Sequence, residues 1–204
     1  MLRKCEDFIA DQLTGRNRRL WYEWCQIDKR LASNPVIHYE VVRENADGLP
    51  TAYLITYQLR SICGVEQIER LNEPGVDNAP IFSIGYRMRL DLPLNYPCVD
   101  AAPSLYFLTT DNLGTPIPHP WHPNIRYFGD FAGLVCLNTN ACGSYTDLSF
   151  YINRVVSYLK FEKYHALNTP PYPQDNKVAE WVLEQAEPNG WITELQEYHN
   201  VQNE

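Results

Sequence analysis

Phe82-Ser83-Ile84-Gly85-Tyr86-Arg87-Met88-Arg89-Leu90-Asp91 reads as a strand with one face in a core. Phe82, Ile84, Tyr86, Met88 and Leu90 alternate with Ser83, Gly85, Arg87, Arg89 and Asp91. A period of two is what a pleated backbone needs to send every second side chain inward. Upstream, residues 52–62 alternate Tyr53, Ile55, Tyr57 and Leu59 against Leu54, Thr56, Gln58 and Arg60, and Val36 to Val42 alternates Ile37, Tyr39 and Val41 against Val36, His38 and Glu40. Asn45-Ala46-Asp47-Gly48-Leu49-Pro50 is a hairpin turn between those two, and a polar loop from about Glu69 to Ala79 leads into the quoted stretch. A fourth strand, Ser104 to Thr110, follows Pro93, Tyr96-Pro97 and Pro103. Four strands joined in sequence make an antiparallel meander with one face to be covered.

An opening helix is available as that cover. Leu20, Trp24, Ile27 and Leu31 recur at helical spacing, with Arg18, Arg19, Glu23, Lys29 and Arg30 on the remaining faces. This helix starts as early as Glu6 if Gly15 does not interrupt it, and it stops at Ser33-Asn34-Pro35, because a residue before proline is pushed out of helical geometry. Residues 111–144 show no periodicity, and a structureless stretch of that length in a compact domain is usually functional. Helix returns at Leu148, Tyr151, Ile152, Val155, Val156 and Leu159. It returns again from about Asp175 to Glu187, after Pro170-Pro171-Tyr172-Pro173, and once more near Trp191. The expected organisation is one α+β domain over residues 1–204: N-terminal helix, four strands, long loop, C-terminal helices.

Composition narrows the function classes. The chain has 204 residues, 45% hydrophobic and 21% charged, which is enough for one sizeable core and unlike a disordered chain. Its net charge of -8 offers no overall basic footprint for phosphates, so nucleic acid is not expected as a partner. No apolar run approaches the ~20 residues that span a bilayer, and Met1-Leu2-Arg3-Lys4-Cys5-Glu6-Asp7 is not a secretory leader. A cytoplasmic protein is expected, with its six cysteines (Cys5, Cys25, Cys63, Cys98, Cys136 and Cys142) as thiols. Most of these read as packed small hydrophobes.

One of them has a context. His119-Pro120-Trp121-His122-Pro123-Asn124-Ile125 is followed by Gly133-Leu134-Val135-Cys136-Leu137. This pairing resembles the ubiquitin-conjugating enzymes, whose active site reads His-Pro-Asn, a short extended segment, then Gly-x-(Ile/Val)-Cys-Leu. Tyr96-Pro97 and Pro103 match the family's Tyr-Pro-x-x-Pro-Pro turn, and the element order matches as well, so the resemblance covers about residues 16–187. It implies a transferase that accepts a ubiquitin-like protein from an activating enzyme as a thioester on Cys136 and passes it to a target lysine. It implies that Asn124 stabilises the oxyanion, that His122 and Pro123 shape the loop, and that the first helix, with Arg18 and Arg19, docks on the activating enzyme. No cofactor and no metal are implied. Two departures stand out. Asn124 lies twelve residues before Cys136, about twice the family's gap, so Arg126 to Ala132 carries an insertion; and the tryptophan expected after the cysteine is replaced, by Tyr145. With Asn168 to Pro173 and Val178-Ala179-Glu180-Trp181, these features resemble the bacterial members encoded beside ubiquitin-like proteins in antiphage operons.

The chemistry suits the residue types. Thioester exchange needs a group that is both nucleophile and leaving group, which cysteine is, and it needs no histidine base. Amine attack builds charge on oxygen, and an amide donor answers that. The acid that orients the lysine in the family falls near Asn168, where no carboxylate stands, which leaves Asp175 or Asp147 as substitutes. Other readings compete. Cys136 alone is also a core residue, Asn124 alone also a turn residue, and the Arg18–Arg19 face also a solvated helix surface. A catalytically dead ubiquitin-binding variant would lack the cysteine. His119, His122, Cys136 and Cys142 supply a zinc-compatible set whose spacing fits no standard finger, and a cysteine hydrolase with His122 as base lacks a third orienting member.

Overall fold

The computed structural model describes residues 4–71, 73–98, 102–137 and 147–202. Helix α1 is Gly15–Leu31, and the described residues before it form two single 3₁₀ turns, Cys5–Asp7 and Ala10–Gln12. Gly15, at φ +53°, separates the two, so the helix does not extend back to Glu6. The strands are β1 (Ile37–Glu44), β2 (Pro50–Tyr57), β3 (Ser61–Val65), β4 (Pro80–Ser83), β5 (Tyr86–Asp91) and β6 (Ser104–Phe107), and the later helices are α2 (Leu148–Leu159), α3 (Asn176–Trp181) and α4 (Trp191–Val201).

The main sheet is antiparallel in the order β1-β2-β5-β6, and β3 pairs with β4 in a separate two-stranded ribbon. The expected meander is present, but its two middle strands are each broken once. Tyr57 pairs with Tyr86 in the main sheet, and pairing resumes in the ribbon at Ser61 with Ser83. Gly85 at φ +88° makes the break on one strand, since a positive φ is open to glycine and closed to most side chains. The break ends the alternation: Tyr86, Met88 and Leu90 are buried, whereas Ile84 is 57% exposed and Phe82 packs in a different cluster.

That second cluster explains the bend. The main sheet, α1 and α2 enclose one core, in which Leu20, Trp24, Ile27, Tyr53, Ile55, Met88, Leu105 and Val155 are buried. The ribbon end of the hairpin instead supplies Ile62 and Val65 to a core shared with Trp121, Phe161, Val178, Trp181 and Leu195. Each large apolar side chain so removed from water is worth roughly 1.5–3 kcal/mol before entropy is counted. Polar ties cross the same boundary: Trp181 Nε1 donates to the Asn78 carbonyl, and the Arg60 carbonyl lies 2.8 Å from His199 Nε2.

On α1 the predicted stripe Leu20, Trp24, Ile27 and Leu31 is buried, and so is Glu23, which the spacing had put on the polar side. Glu23 is fully buried because its carboxylate is saturated. It pairs with Arg19, accepts from the Tyr96 hydroxyl at 2.8 Å, and accepts from the Leu148 backbone N–H at 2.8 Å. One carboxylate thereby joins α1, the turn after β5 and the start of α2. Burial of an acid is tolerable when its lone pairs are all taken.

Candidate functional site

The segment Gly133 to Cys136 lies as a short extended piece between two neighbours. On one side Phe107 N–H donates to the Gly133 carbonyl (2.9 Å) and Val135 N–H to the Leu105 carbonyl (3.0 Å). On the other side Arg126 N–H donates to the Leu134 carbonyl (2.8 Å) and Cys136 N–H to the Asn124 carbonyl (2.8 Å). Gly133 is required by this arrangement, because it sits at φ +93° and a Cβ there would lie 2.1 Å from the Phe107 carbonyl oxygen.

These bonds settle what the long Asn124–Cys136 gap does. Ile125 pairs antiparallel with Val135, and residues 126–133 close a hairpin whose base is tied by Gly133 N–H to the Arg126 carbonyl at 2.7 Å. The residues between them close as a loop on that hairpin, and Asn124 stays directly across from Cys136. Ile125 and Val135 are both buried in the main core. By alternation, Asn124 and Arg126 share the other face of the hairpin with Leu134 and Cys136.

Asn124 is 1% exposed. Its Oδ1 accepts from His165 N–H at 3.0 Å, so the side-chain oxygen is committed and the NH₂ is the end that remains for a ligand. It sits on the floor of an open groove of about 400 Å³ walled by Arg154, Tyr158, Glu162 and His165. Tyr158 reaches across from α2 to donate its hydroxyl to the Cys136 carbonyl at 3.2 Å. Cys136 itself is half-buried.

His122 is enclosed, stacked on Tyr158 at 4.8 Å and against Phe161 at 4.7 Å. Its Nε2 lies 3.2 Å from the Lys163 carbonyl, which can only accept, and its Nδ1 accepts from Asn124 N–H. This assigns the neutral Nε2–H tautomer. Burial pushes its pKa down to about 3. Both ring nitrogens are occupied, so His122 is neither a base nor a metal ligand here. Pro123 is buried, and its carbonyl accepts from Gln174 and Asp175 N–H. The His-Pro-Asn turn is thus strung between the loop after α2 and the start of α3.

Other expected residues lie elsewhere. His119 stacks on Tyr127 at 4.3 Å, and burial lowers its pKa to about 4. Among the described residues, no group of three or more His, Cys, Asp or Glu is placed to hold a metal. Asp175 is unavailable to an incoming lysine. Its carboxylate accepts from the N–H groups of Tyr127, Phe128, Lys177 and Val178, which docks the inserted hairpin and caps α3. Asp147 likewise caps α2 through Phe150 N–H. Arg18 is exposed, whereas Arg19 turns to Glu23 and its side chain is 22% exposed. Cys142 and Tyr145 lie outside the described residues. Of the other cysteines, Cys5, Cys25 and Cys63 are half-buried and Cys98 is exposed, so none is the fully packed core residue expected.

With this geometry the chain was compared with known proteins. No family model and no curated protein matches it. A crystal structure assigned as a ubiquitin conjugating enzyme of Plasmodium yoelii superposes over 93% of this chain and 96% of its own, with TM-score 0.50 and 16% identity. The E2 domain of a Toxoplasma gondii ubiquitin conjugating enzyme covers 90% of this chain and 95% of its own, at TM-score 0.46 and 16% identity. The likeness is one of fold. The mixed α+β architecture, with its antiparallel four-stranded sheet and flanking helices, is that of ubiquitin-conjugating E2 domains.

Tyr158 and the role of Glu23 were missed in the sequence. Nothing marks a tyrosine on an amphipathic helix as the residue that will hold a cysteine's carbonyl. No local pattern distinguishes Glu23 from an ordinary surface glutamate.

Proposed function

We propose that this chain is a ubiquitin-conjugating-enzyme-like transferase that carries a ubiquitin-like protein on Cys136. The observation that supports it best is the direct cross-strand placement of Cys136 and Asn124, bonded backbone to backbone at 2.8 Å inside a fold of this kind. In the first step the Cys136 thiolate attacks the thioester on an activating enzyme; a new thioester forms and the activating enzyme's thiol leaves. In the second step a target lysine amine attacks the Cys136 thioester. The tetrahedral oxyanion is held by the Asn124 amide, an amide bond forms, a proton leaves the nitrogen, and the Cys136 thiolate departs.

His122 holds this geometry as a neutral strut. In this reading the protein works in the cytoplasm as a bacterial member of the family serving antiviral defence, and the resemblance of residues 126–132, 168–173 and 178–181 to the bacterial members supports that placement. No helix among the described residues is long and apolar enough to cross a membrane.

Incubation with an activating enzyme, ATP and the ubiquitin-like protein tests the reading. A reductant-sensitive adduct should form, vanish in Cys136→Ala and become reductant-resistant in Cys136→Ser. Normal charging of Cys136→Ala would overturn the assignment.

A further inference from the structure

The inserted hairpin carries a second feature on the site's own face. Arg126 lies two residues beyond Asn124 on the same side, about 7 Å along an extended chain. It stands opposite Leu134, itself two residues from Cys136. Its guanidinium makes no ion pair or hydrogen bond among the described residues, and its Nε is screened from solvent without a partner. Arg16 and Arg154 also have an Nε in this state, and what sets Arg126 apart is its place on the hairpin face that carries Asn124.

Arg126 lines a groove of about 340 Å³ with Phe128, Asn168, Tyr172 and Lys177. Lys177 rests over the Phe128 ring at 5.1 Å and likewise forms no ion pair among the described residues. The one carboxylate in the groove wall, Asp175, is already saturated by four backbone N–H groups. Tyr172 is 60% exposed and offers an aromatic surface. In a chain of net charge -8, two cations and the committed Asp175 carboxylate line this groove, and Arg126 links it to the hairpin face that carries Asn124.

We infer that this groove is a specificity subsite that takes an acidic side chain of the polypeptide bringing the acceptor lysine; the inference rests on the thioester reading above. Charge selects its occupant. Two cations without carboxylate partners, flanked by amides and an exposed ring, suit a carboxylate on a peptide and disfavour a basic segment. The spacing suits it too. In an extended peptide, side chains two residues apart lie on one face about 7 Å apart, so a lysine over the Asn124–Cys136 pair carries a neighbouring acid over Arg126.

The test uses fluorescein-labelled decapeptides of Gly and Ser containing one lysine, with glutamates, glutamines or arginines two residues to either side. Anisotropy with the full, uncharged protein reads binding without any chemistry. The glutamate peptide should bind roughly tenfold more tightly than the glutamine peptide, as one well-placed charge contact allows, and weaken as salt rises. Arg126→Gln should remove most of that preference. Arg126→Glu combined with Lys177→Glu should reverse it in favour of the arginine peptide. The same ratios should appear in single-turnover discharge of the Cys136 thioester onto these peptides. Equal affinity for all three peptides, or a glutamate preference that survives the double reversal, overturns the subsite. Failure of Cys136 to charge overturns the thioester reading instead, and the anisotropy still decides the groove.

Discussion

Asn124 has two ends with different jobs, and this allows its chemical role to be separated from its structural one. Asn124→Ala removes both. The loss of Oδ1 leaves His165 N–H without its acceptor, which costs about 1–3 kcal/mol and lowers Tm by roughly 2–4 °C per kcal/mol in a chain of this size. The loss of the NH₂ removes the proposed oxyanion donor, which should slow discharge to lysine by ~10²–10³. Charging should change far less, because exchange between two thioesters asks little of that donor. Asn124→Asp separates the two ends: it keeps an acceptor for His165 N–H and puts negative charge where the oxyanion must form. Its discharge should be at least as slow as that of Asn124→Ala, while the His165 N–H contact is retained. Single-turnover charging and lysine-discharge assays, read beside melting curves of both variants, decide the matter. Discharge by Asn124→Asp at the wild-type rate, or equal loss of charging and discharge in both variants, would refute the oxyanion role and leave Asn124 as a loop tie.

Three further outcomes are expected. Gly133→Ala places a methyl 2.1 Å from the Phe107 carbonyl oxygen at φ +93°, so it should destabilise the fold by several kcal/mol, on the scale of overpacking plus backbone strain; a melting curve within a degree of wild type would show that the strand pairing beside Cys136 is wrong. His122 is held neutral, with its pKa lowered from the ordinary 6.5 to about 3, so stability present above pH 6.5 is lost as the pH falls from 6.5 towards 3. Between pH 6.5 and 5 that loss is about 2 kcal/mol from this residue; urea midpoints should fall over that window, and the fall should be shallower in His122→Gln. Arg18→Glu should slow charging, most strongly at low salt, without moving Tm, whereas Arg19→Glu should lower Tm because it breaks the pair with buried Glu23; salt-independent charging by Arg18→Glu would remove this face from partner docking.

Much of the architecture was readable because it is written in local periods. The stripe Leu20, Trp24, Ile27, Leu31 and the row Tyr86, Met88, Leu90 are buried on the faces their spacing predicts. The breaks at residues 58–60 and at Gly85 were not readable, since a glycine in an alternating run preserves the pattern while the backbone turns a corner. That corner exists because the ribbon end packs on Trp121 and Trp181, contacts set by residues far away in the chain. Glu23 failed for a related reason: its partners come from residues 96 and 148 as well as from its own helix. The site was half legible. Cys136 and Asn124 are named by their motif, but the two grooves beside them are assembled from segments that no window of sequence holds together.

The inserted segment gives the clearest case of why spacing alone misleads. A gap of twelve residues between Asn124 and Cys136 reads as separation, yet antiparallel pairing makes sequence distance irrelevant once the hairpin base is closed. Lengthening a loop costs only about 0.6 kcal/mol for each doubling. Here the inserted residues also recover stability of their own: Tyr127 and Phe128 pack their rings around Trp121, and their N–H groups bond to Asp175. The carboxylate that caps α3 therefore also fixes the inserted hairpin, and α3 sits beside the His-Pro-Asn turn through the Pro123 carbonyl. A hairpin anchored in this way holds Asn124 in register with Cys136 and adds a rigid wall to the candidate site, which is the physical basis for expecting Arg126 to act in selecting what reaches the proposed thioester.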